Sequence, residues 1–182
     1  DESTGFFFFY LGTSTGTTQK RFSMKGLHGA DFPAFAPDGS TLAFVGLSGA
    51  KSHWPGEDVM LVGTVSLMVI DLLKLKSYVL VNRQDELIDG NMVLGFPSFS
   101  SDGRYIAFID SSETAGEIEV VEANGKPFFR YPFMPGEAGP CMRPRFDRDG
   151  THLVCYVPQP PDQGVGAIYL INLIKGTKRK VG

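Results

Sequence analysis

One sequence pattern occurs three times in this chain of 182 residues, and the repetition constrains the fold more than any single residue does. The copies span residues 31–46, 95–110 and 142–157. Each copy has a proline, a phenylalanine two positions later, an Asp-Gly pair five and six positions after the proline, and then an apolar run. Repetition at this length indicates one supersecondary unit that is used several times.

The repeated pattern predicts a β-hairpin. An Asp-Gly pair between two apolar runs is a strong hairpin signal, because aspartate can bond the nearby backbone and glycine accepts the positive φ angles of such turns. The runs after the turn, at residues 42–45, 106–109 and 153–156, are apolar at consecutive positions. Strands with one wet face would alternate, so we predict that these strands are covered on both faces.

A second pair of strands follows each hairpin. The third strands are predicted at residues 67–71, 118–122 and 168–172. Gly125 and Gly176 then mark turns into a fourth strand, so each unit has four strands, which we call a, b, c and d. Residues 6–11 and 17–22 read as strands c and d of another unit, with Gly16 at their turn. The predicted boundaries are a half unit at 1–29 and full units at 30–90, 91–138 and 139–182.

The consensus of the three copies, P-x-F-S-P-D-G-x-x-I-A-F, resembles the repeat of TolB-type, WD40-like β-propellers. The third copy departs from the family pattern, with Asp147 and Arg148 in place of Ser-Pro and Cys155 in place of phenylalanine, yet it keeps the turn and the strand. The resemblance covers nearly the whole chain. It implies an all-β fold of four-stranded antiparallel propeller blades, with three full blades plus the c and d strands of another.

The strand count has a consequence for ring closure. Propellers typically have 4 to 8 blades, and the half blade would leave a strand edge at residues 6–10 without a partner. Unpaired edges of this kind promote aggregation. We therefore expect the segment to belong to a larger ring, with further propeller blades from the same or another chain.

The two ends of each blade differ in their connections. The a–b and c–d turns at one end are short and uniform, whereas the b–c and d–a connections at the other end are predicted to be long, irregular loops. These loops are expected at residues 23–30, 46–64, 82–94, 111–116, 134–141 and 158–166. Because function tends to lie on variable loops carried by a rigid scaffold, we predict that this end is the working face.

The largest of these connections is an insertion of about 17 residues in the first full blade, between residues 46 and 65. An exposed tryptophan on a loop is a frequent interface anchor, although the same side chain can also fold back as a local plug. Near the axis, an arginine on the innermost strand could face the channel mouth or cap the blade edge in solvent. The predicted partner-binding residues are Trp54, His53, Glu57, Asp58 and Arg143.

No catalytic or metal-binding constellation emerges from the sequence. Residues 12–16, G-T-S-T-G, match a nucleophile elbow, but a strand is predicted after them where that motif requires a helix. Residues 147–150 lack the further acidic positions of a calcium loop and align with the Asp-Gly turns. His28, His53 and His152 show no ligand spacing. We therefore predict no catalytic residue, no metal and no cofactor.

Bulk properties exclude some classes of function and favour one compartment. A net charge of −3 argues against nucleic-acid binding, and the longest uncharged apolar stretch, residues 59–70, is shorter than the roughly 20 residues of a membrane span. Cys141 and Cys155 flank the third turn; a cross-strand disulfide and two small buried side chains both fit, and the second is favoured. An extracytoplasmic location, periplasmic or secreted, is favoured for this chain, which lacks an initiator methionine and is expected to be a processed product or part of a longer polypeptide.

The functional hypothesis that follows is a non-catalytic binding or scaffolding module that recognises a protein or peptide partner through its b–c and d–a end. The resemblance implies two alternatives. One is the propeller domain of a larger serine peptidase of the prolyl-oligopeptidase or tricorn kind, and the other is a carbohydrate-active enzyme with a metal in the propeller funnel. Fold alone does not decide among these functions.

Overall fold

The computed structural model describes residues 6–12, 15–53, 60–88, 93–111, 116–133, 141–158 and 166–181. Within these residues the chain forms fourteen strands in four antiparallel sheets. The strands are β1 (Phe6–Gly12), β2 (Thr18–Lys25), β3 (Leu27–Phe35), β4 (Thr41–His53), β5 (Met60–Asp71), β6 (Lys76–Ile88), β7 (Leu94–Phe99), β8 (Tyr105–Asp110), β9 (Glu117–Glu122), β10 (Pro127–Pro132), β11 (Met142–Phe146), β12 (His152–Val157), β13 (Ala167–Asn172) and β14 (Thr177–Lys180).

The sheets are propeller blades, as the sequence predicts. Strands β3–β6 form the first blade, β7–β10 the second and β11–β14 the third, each with its strands in consecutive order, and β1–β2 form the half blade. The main contacts between sheets run from the half blade to the first blade and onward to the third, so the described chain is an open arc. Across the described ranges, no helix has the length and apolar character needed to cross a membrane.

The Asp-Gly turns fold because the aspartate side chain replaces a backbone partner. Asp38, Asp102 and Asp149 each accept a hydrogen bond from the backbone N–H two residues later, at 2.9, 3.0 and 2.9 Å. The glycine after each aspartate has φ between 70° and 73°. Side chains rarely tolerate that conformation, so the pair is required for the turn.

The core lies in three layers between neighbouring sheets. Each blade uses alternate residues of its two middle strands for its two faces. The face of the first blade toward the half blade includes Leu42, Phe44 and Ile70. The layer between the first and second blades includes Ala43, Leu67, Ile106 and Phe108. The layer between the second and third blades includes Ala107, Ile118, Leu153 and Ile171.

The prediction of an irregular loop at residues 46–64 is wrong, because the described part of this insertion is strand. The antiparallel ladder of the first blade continues outward: Lys51 pairs with Val62, and Leu61 pairs with Ile88. The extra residues therefore lengthen three neighbouring strands into an extension of the first blade, formed by the ends of β4, β5 and β6. A side chain at Gly63 would meet the carbonyl oxygen of Ser48 at 3.0 Å, so glycine permits the close approach of β4 and β5.

Two of the predicted d–a loops are also shorter than expected. Strand β6 runs to Ile88, which takes up half of the loop predicted at residues 82–94. Between the half blade and the first blade, β2 and β3 are separated by Gly26 alone, where a loop was predicted at residues 23–30. Gly26 has φ 85°, which lets the chain change direction within one residue.

The prediction that the strands are covered on both faces holds for the first two blades and is wrong for the third. All residues from Ile106 to Asp110 are buried in the second blade. In the third blade, burial alternates along β12, and Val154 and Tyr156 are 37% and 42% exposed. The apolar run in β12 is the same as in the other copies, but within the described chain no sheet packs on that face.

Cys141 and Cys155 form a disulfide bond across the third blade, with 5.5 Å between their Cα atoms. Of the two alternatives from the sequence, the cross-strand disulfide is therefore correct, and the favoured one, two small buried side chains without a bond, is wrong. Both residues are buried in the layer between the second and third blades. The bond ties the segment that enters β11 to the middle of β12.

Candidate functional site

A backbone bulge recurs in the innermost strand of all three blades. The residue before the repeated proline, Phe32, Phe96 or Arg143, has φ of 55°, 53° and 53°. The pairing of strand a with strand b shifts register at each of these positions. Positive φ is strained for side chains of this size and persists only where the surrounding structure imposes it. Because the bulge is present in every blade, it is first of all a structural feature of the repeat.

The bulges bring three side chains into one row along the inner strands. The rings of Phe32 and Phe96 have centroids 4.5 Å apart, and the guanidinium of Arg143 lies 5.4 Å from the centroid of Phe96. Arg143 is exposed and forms no ion pair with any residue that the structure describes. The row is a half-buried aromatic surface, packed on the layers between the blades, that ends in an accessible positive charge, and its exposed part suits contact with an apolar and anionic partner.

The structure places only part of the predicted partner-binding set. Arg143 lies on β11, in the row with Phe96. His53 ends β4, where its backbone pairs with Met60 in the extension of the first blade. Trp54, Glu57 and Asp58 lie outside the described residues. The two placed residues belong to the first and third blades, and whether the five form one surface stays a prediction.

A group of five charged residues connects the first and second blades, and the sequence analysis did not identify it. Asp110 and Glu119 are each 3% exposed. Arg83, from β6, donates to Asp110 through Nε at 2.8 Å and through Nη2, and its Nη2 lies 3.2 Å from Glu119 Oε1. Arg130 Nη2 lies 3.0 Å from the same Glu119 oxygen. Glu117, whose Oε1 lies 3.4 Å from Arg130 Nη1, is the fifth member, and we call the five residues the interblade charge network.

The network holds more negative than positive charge. Within the part of the chain that the structure describes, three carboxylates, Asp110, Glu117 and Glu119, share two guanidiniums, so full ionisation of these five residues would leave one excess negative charge. Burial raises the pKa of Glu119 from 4.5 to about 7, and its hydrogen bond with Glu117 and the charge of Asp110 act in the same direction. The guanidiniums of Arg130 and Arg83 oppose that rise. Glu119 therefore holds a proton well above the pH at which an exposed glutamate loses it.

This shift predicts a pH dependence of stability with a definite sign. The native state keeps the Glu119 proton to a higher pH than the unfolded chain does, so its contribution is complete below pH 4.5 and is lost as the pH rises to about 7. The loss is on the order of 2 kcal/mol, after allowance for solvent near the exposed Arg130 side chain. Urea unfolding of the protein between pH 4 and 8 measures it.

The comparison variant is Glu119→Gln, which is neutral at every pH and should flatten this part of the profile. Glu122→Gln is the matched control, because Glu122 lies on the same strand but outside the network. It should leave the profile of the native protein unchanged. Equal profiles for the native protein and Glu119→Gln would show that Glu119 does not titrate in this range.

Two acidic groups have oxygen atoms close enough to suit a metal, but their partners favour other roles. The carboxylates of the network already bind Arg83 and Arg130. In the third blade, Asp147, Asp149 and His152 also lie close together. There Asp149 bonds Thr151 in the turn, and His152 Nδ1 lies 3.0 Å from Asp147 Oδ2. Both groups are satisfied within the blades, and we assign no metal to either.

One cleft lies at the end opposite the predicted working face. It has a volume of about 350 Å³ among the turns of the first two blades. It is lined by the carboxylates of Asp38, Asp71 and Asp102 and the rings of Tyr78 and Phe99. The hydrogen bond from the Ser100 hydroxyl is the main cause that lowers the pKa of Asp102 to about 2, and the hydrogen bonds from Arg104 act in the same direction. Lys74 pairs with Asp71 and Arg104 with Asp102, which balances two of the three carboxylates, and all three accept hydrogen bonds that stabilise their turns.

A second, apolar cleft of about 400 Å³ lies between the half blade and the first blade. Its walls include Phe9, Leu11, Phe35, Leu42 and Phe44. The cleft occupies the position that strands a and b fill in a complete blade. It matches the expectation that these two strands are supplied from elsewhere, which stays a prediction.

Similarity to solved structures supports the fold. TolB from Acinetobacter baumannii matches with a TM-score of 0.59 and 17% identity, over 93% of this chain and 36% of that one. The β-propeller domain of the Trilobed protease from Pyrococcus furiosus, described as having an open velcro topology, matches with a TM-score of 0.53 and 13% identity, over 86% and 43%. The C-terminal WD40 domain of Sif2 matches with a TM-score of 0.52 and 19% identity, over 86% and 38%.

These likenesses show that the chain has the β-propeller fold of TolB-like and WD40-like proteins. The chain spans less than half of the length of each of the three structures. No protein-family model and no curated protein sequence matches it. The fold is therefore shown by structure, while activity and partners have to be argued from the residues.

Proposed function

We propose that this chain is a non-catalytic binding module that recognises a protein or peptide at the b–c and d–a end of its blades. The observation that carries the proposal is the asymmetry between the two ends. The turns at the Asp-Gly end are tight and uniform, whereas the first blade is extended at the other end by β4, β5 and β6. The strand extension, and separately the aromatic row with Arg143, offer rigid surfaces for a partner.

The supporting chemistry is that of a contact surface. Phe32 and Phe96 supply apolar area and Arg143 supplies an accessible guanidinium. Aromatic residues and arginine are enriched among the side chains that dominate binding energies. Trp54, from sequence alone, is the proposed anchor on the insertion, with His53, Glu57 and Asp58 around it.

The proposal is tested by selecting peptides from a random displayed library on the purified chain and measuring their affinities for variants. We expect Trp54→Ala to cost about 2 kcal/mol or more of affinity while the melting temperature is unchanged. Arg143→Ala should lower the affinity for those peptides that carry carboxylates.

Tyr78→Ala is the matched control, because Tyr78 is an exposed aromatic residue at the Asp-Gly end. It should leave affinity unchanged. If Trp54 is a local plug, its replacement lowers the melting temperature and affinity falls only as folding does. Peptides that no longer bind the Tyr78→Ala variant but still bind the Trp54→Ala variant would show that the binding site lies at the Asp-Gly end instead.

A second candidate function is the propeller domain of a larger serine peptidase. The likeness to the Trilobed protease propeller favours it. Sequence of the parent polypeptide decides between the two, because a peptidase requires a hydrolase domain with a nucleophile elbow followed by an aspartate and a histidine. The elbow-like residues 12–16 do not meet that requirement, since strand β2 follows them.

An extracytoplasmic location is part of the proposal. The Cys141–Cys155 bond supports it, because disulfides persist in oxidising compartments and are rare in the cytosol. Thiol labelling tests this location. Protein taken from its source cells is denatured without reductant and treated with a thiol reagent. Two unreactive cysteines agree with an oxidising compartment, and two reactive thiols contradict it.

A further inference from the structure

Two turns at the Asp-Gly end share one construction, although they belong to different blades. Residues 72–75 join β5 to β6 in the first blade, and residues 173–176 join β13 to β14 in the third. The residue before each turn, Asp71 or Asn172, accepts hydrogen bonds from the backbone N–H groups two and three residues later, at 2.7 to 3.0 Å. Because the c–d turns of consecutive antiparallel strands lie at one end of the blades, both turns project from that end.

Each of these turns carries an aliphatic side chain into solvent. Leu73 is 79% exposed and Ile174 is 80% exposed, the highest values for large apolar side chains in the part of the chain that the structure describes. The turn residue before each of them is buried and supplies the packing against the blade. The hydrogen bonds that form the turn involve only the backbone at the exposed position, so the turn itself does not require an apolar side chain there.

Leu75 is an independent indication that apolar side chains are favoured at this place. Its φ is 53°, which is strained for leucine, whereas the equivalent residue of the third blade is Gly176, with φ 62°. The Leu75 side chain is 50% exposed, so its packing offsets only part of the strain. Glycine would relieve the strain, yet the sequence has leucine, and strained residues cluster at functional sites. We call Leu73, Leu75 and Ile174 the aliphatic tips.

The turn of the third blade lies in a strongly basic hairpin. Residues 163–182 hold four basic residues and no acidic one, in a chain whose net charge is −3. Three of the four are exposed, and all lie in the turn or on β14: Lys175, Lys178, Arg179 and Lys180. Asn172 stands where the first blade has an aspartate, so Lys175 has no carboxylate within its own turn.

The turn of the first blade is also basic. Lys74 and Lys76 flank Leu75 in the sequence, and both are exposed. Lys20, from the half blade, donates to a backbone carbonyl oxygen of this turn at 3.3 Å. One of these three charges is offset, because Lys74 pairs with Asp71. Cations therefore surround the aliphatic tips in both blades.

This arrangement suits a flat anionic surface better than a partner that binds in a groove. The two turns belong to blades that the second blade separates, so they are distinct points of contact and not the walls of one pocket. A lipid surface reaches both turns at once. Aliphatic side chains enter the boundary between headgroups and acyl chains, while flanking lysines stay at anionic headgroups. The aspartates of the a–b turns lie closer to the propeller axis and accept turn hydrogen bonds.

We propose that the Asp-Gly end of the blades docks on an anionic lipid surface, with Leu73, Leu75 and Ile174 entering the interface and the surrounding lysines at the headgroups. The proposal goes beyond the binding function argued above and is independent of it. Docking in this orientation leaves the b–c and d–a end facing away from the lipid, where a protein or peptide partner can reach it.

Sedimentation of the purified chain with lipid vesicles tests the proposal. Vesicles of phosphatidylcholine with about one third phosphatidylglycerol supply the anionic surface, and pure phosphatidylcholine is the reference. We expect the partition coefficient to be at least about tenfold higher for the anionic vesicles. Leu73→Ser combined with Ile174→Ser should lower it about tenfold, and Lys175→Gln should lower it about fivefold.

Two control variants make the same chemical changes elsewhere. Val154→Ser removes an exposed aliphatic side chain in the middle of β12, away from the turns. Lys51→Gln removes a lysine from the extension of the first blade, at the opposite end, where its backbone pairs with Val62. Both variants should partition into the anionic vesicles as the native protein does.

Leu75→Gly separates lipid contact from a role in folding. The variant should raise the melting temperature by about 2 °C, because it relieves the strained φ, and should lower partitioning about fivefold. A residue that only stabilises the fold would not move these two quantities in opposite directions. Equal partitioning of the native protein into both kinds of vesicle would overturn the proposal. So would binding to the anionic vesicles that the Leu73→Ser and Ile174→Ser pair leaves unchanged, since charge alone would then account for it.

Discussion

Replacing Arg83 by alanine is expected to lower the free energy of unfolding by about 3–5 kcal/mol, because the change removes the guanidinium that binds the buried carboxyl group of Asp110. Glu119 also loses one of its two arginine partners. Both carboxyl groups are only 3% exposed between the first and second blades, so water does not readily replace the lost guanidinium. Urea unfolding at pH 7 measures the loss.

Three further variants separate the network from ordinary ion pairs. Arg104→Ala breaks a pair with Asp102 in which the two side chains are 73% and 44% exposed, so it should cost no more than about 1 kcal/mol. Arg83→Met combined with Asp110→Asn removes both charges together and should be more stable than Arg83→Met alone. An Arg83→Ala loss as small as that of Arg104→Ala would mean that the network does not connect the blades.

The fold was predictable because the repeat encodes it in local chemistry. Each Asp-Gly pair fixes a turn through a side-chain hydrogen bond two residues on, and that bond depends on neighbours in sequence alone. The apolar runs after the turns then have to be covered, and stacked blades cover them. For the same reason the half blade could be recognised from Gly16 and its flanking strands.

The extension of the first blade was not predictable by the same reasoning. Glycines at 49, 56 and 63 and a proline at 55 are typical of a loop. In the structure, Gly49 has φ 60° beside a shift of register, and Gly63 allows close contact with Ser48. Gly49 and Gly63 serve a bulged ladder, which depends on pairing partners up to 27 residues apart, as Leu61 and Ile88 are.

The interblade charge network escaped sequence analysis because its members are far apart in the chain. Arg83 and Asp110 are 27 residues apart, and Arg83 and Glu119 are 36 apart. One local signal was present: Glu119 lies between Ile118 and Val120 in a strand whose neighbours are buried on both faces. A charged residue at such a position requires a partner from another element. Its identity follows only from the packing of the blades.

The disulfide leads to the second large effect that we expect. Reduction of the Cys141–Cys155 bond, or its replacement by Cys141→Ala with Cys155→Ala, should lower the free energy of unfolding by about 3 kcal/mol, because a loop of about 15 residues is no longer closed in the unfolded chain. Both sulfurs are buried, so the alanine variant also loses some packing and should be the less stable of the two.

A reductant separates the contribution of the disulfide bond to stability from that of the packing of the cysteine side chains. Urea unfolding of the native protein with and without dithiothreitol reports the bond alone, while the double alanine variant should show the same midpoint under both conditions. The effect should also be local, because the bond ties the entry of β11 to β12 in the third blade. Amides of β12 and β13 should therefore exchange faster with solvent after reduction, whereas those of β8 in the second blade should change less. A native protein whose midpoint is the same with and without reductant would contradict the stabilising role of this bond.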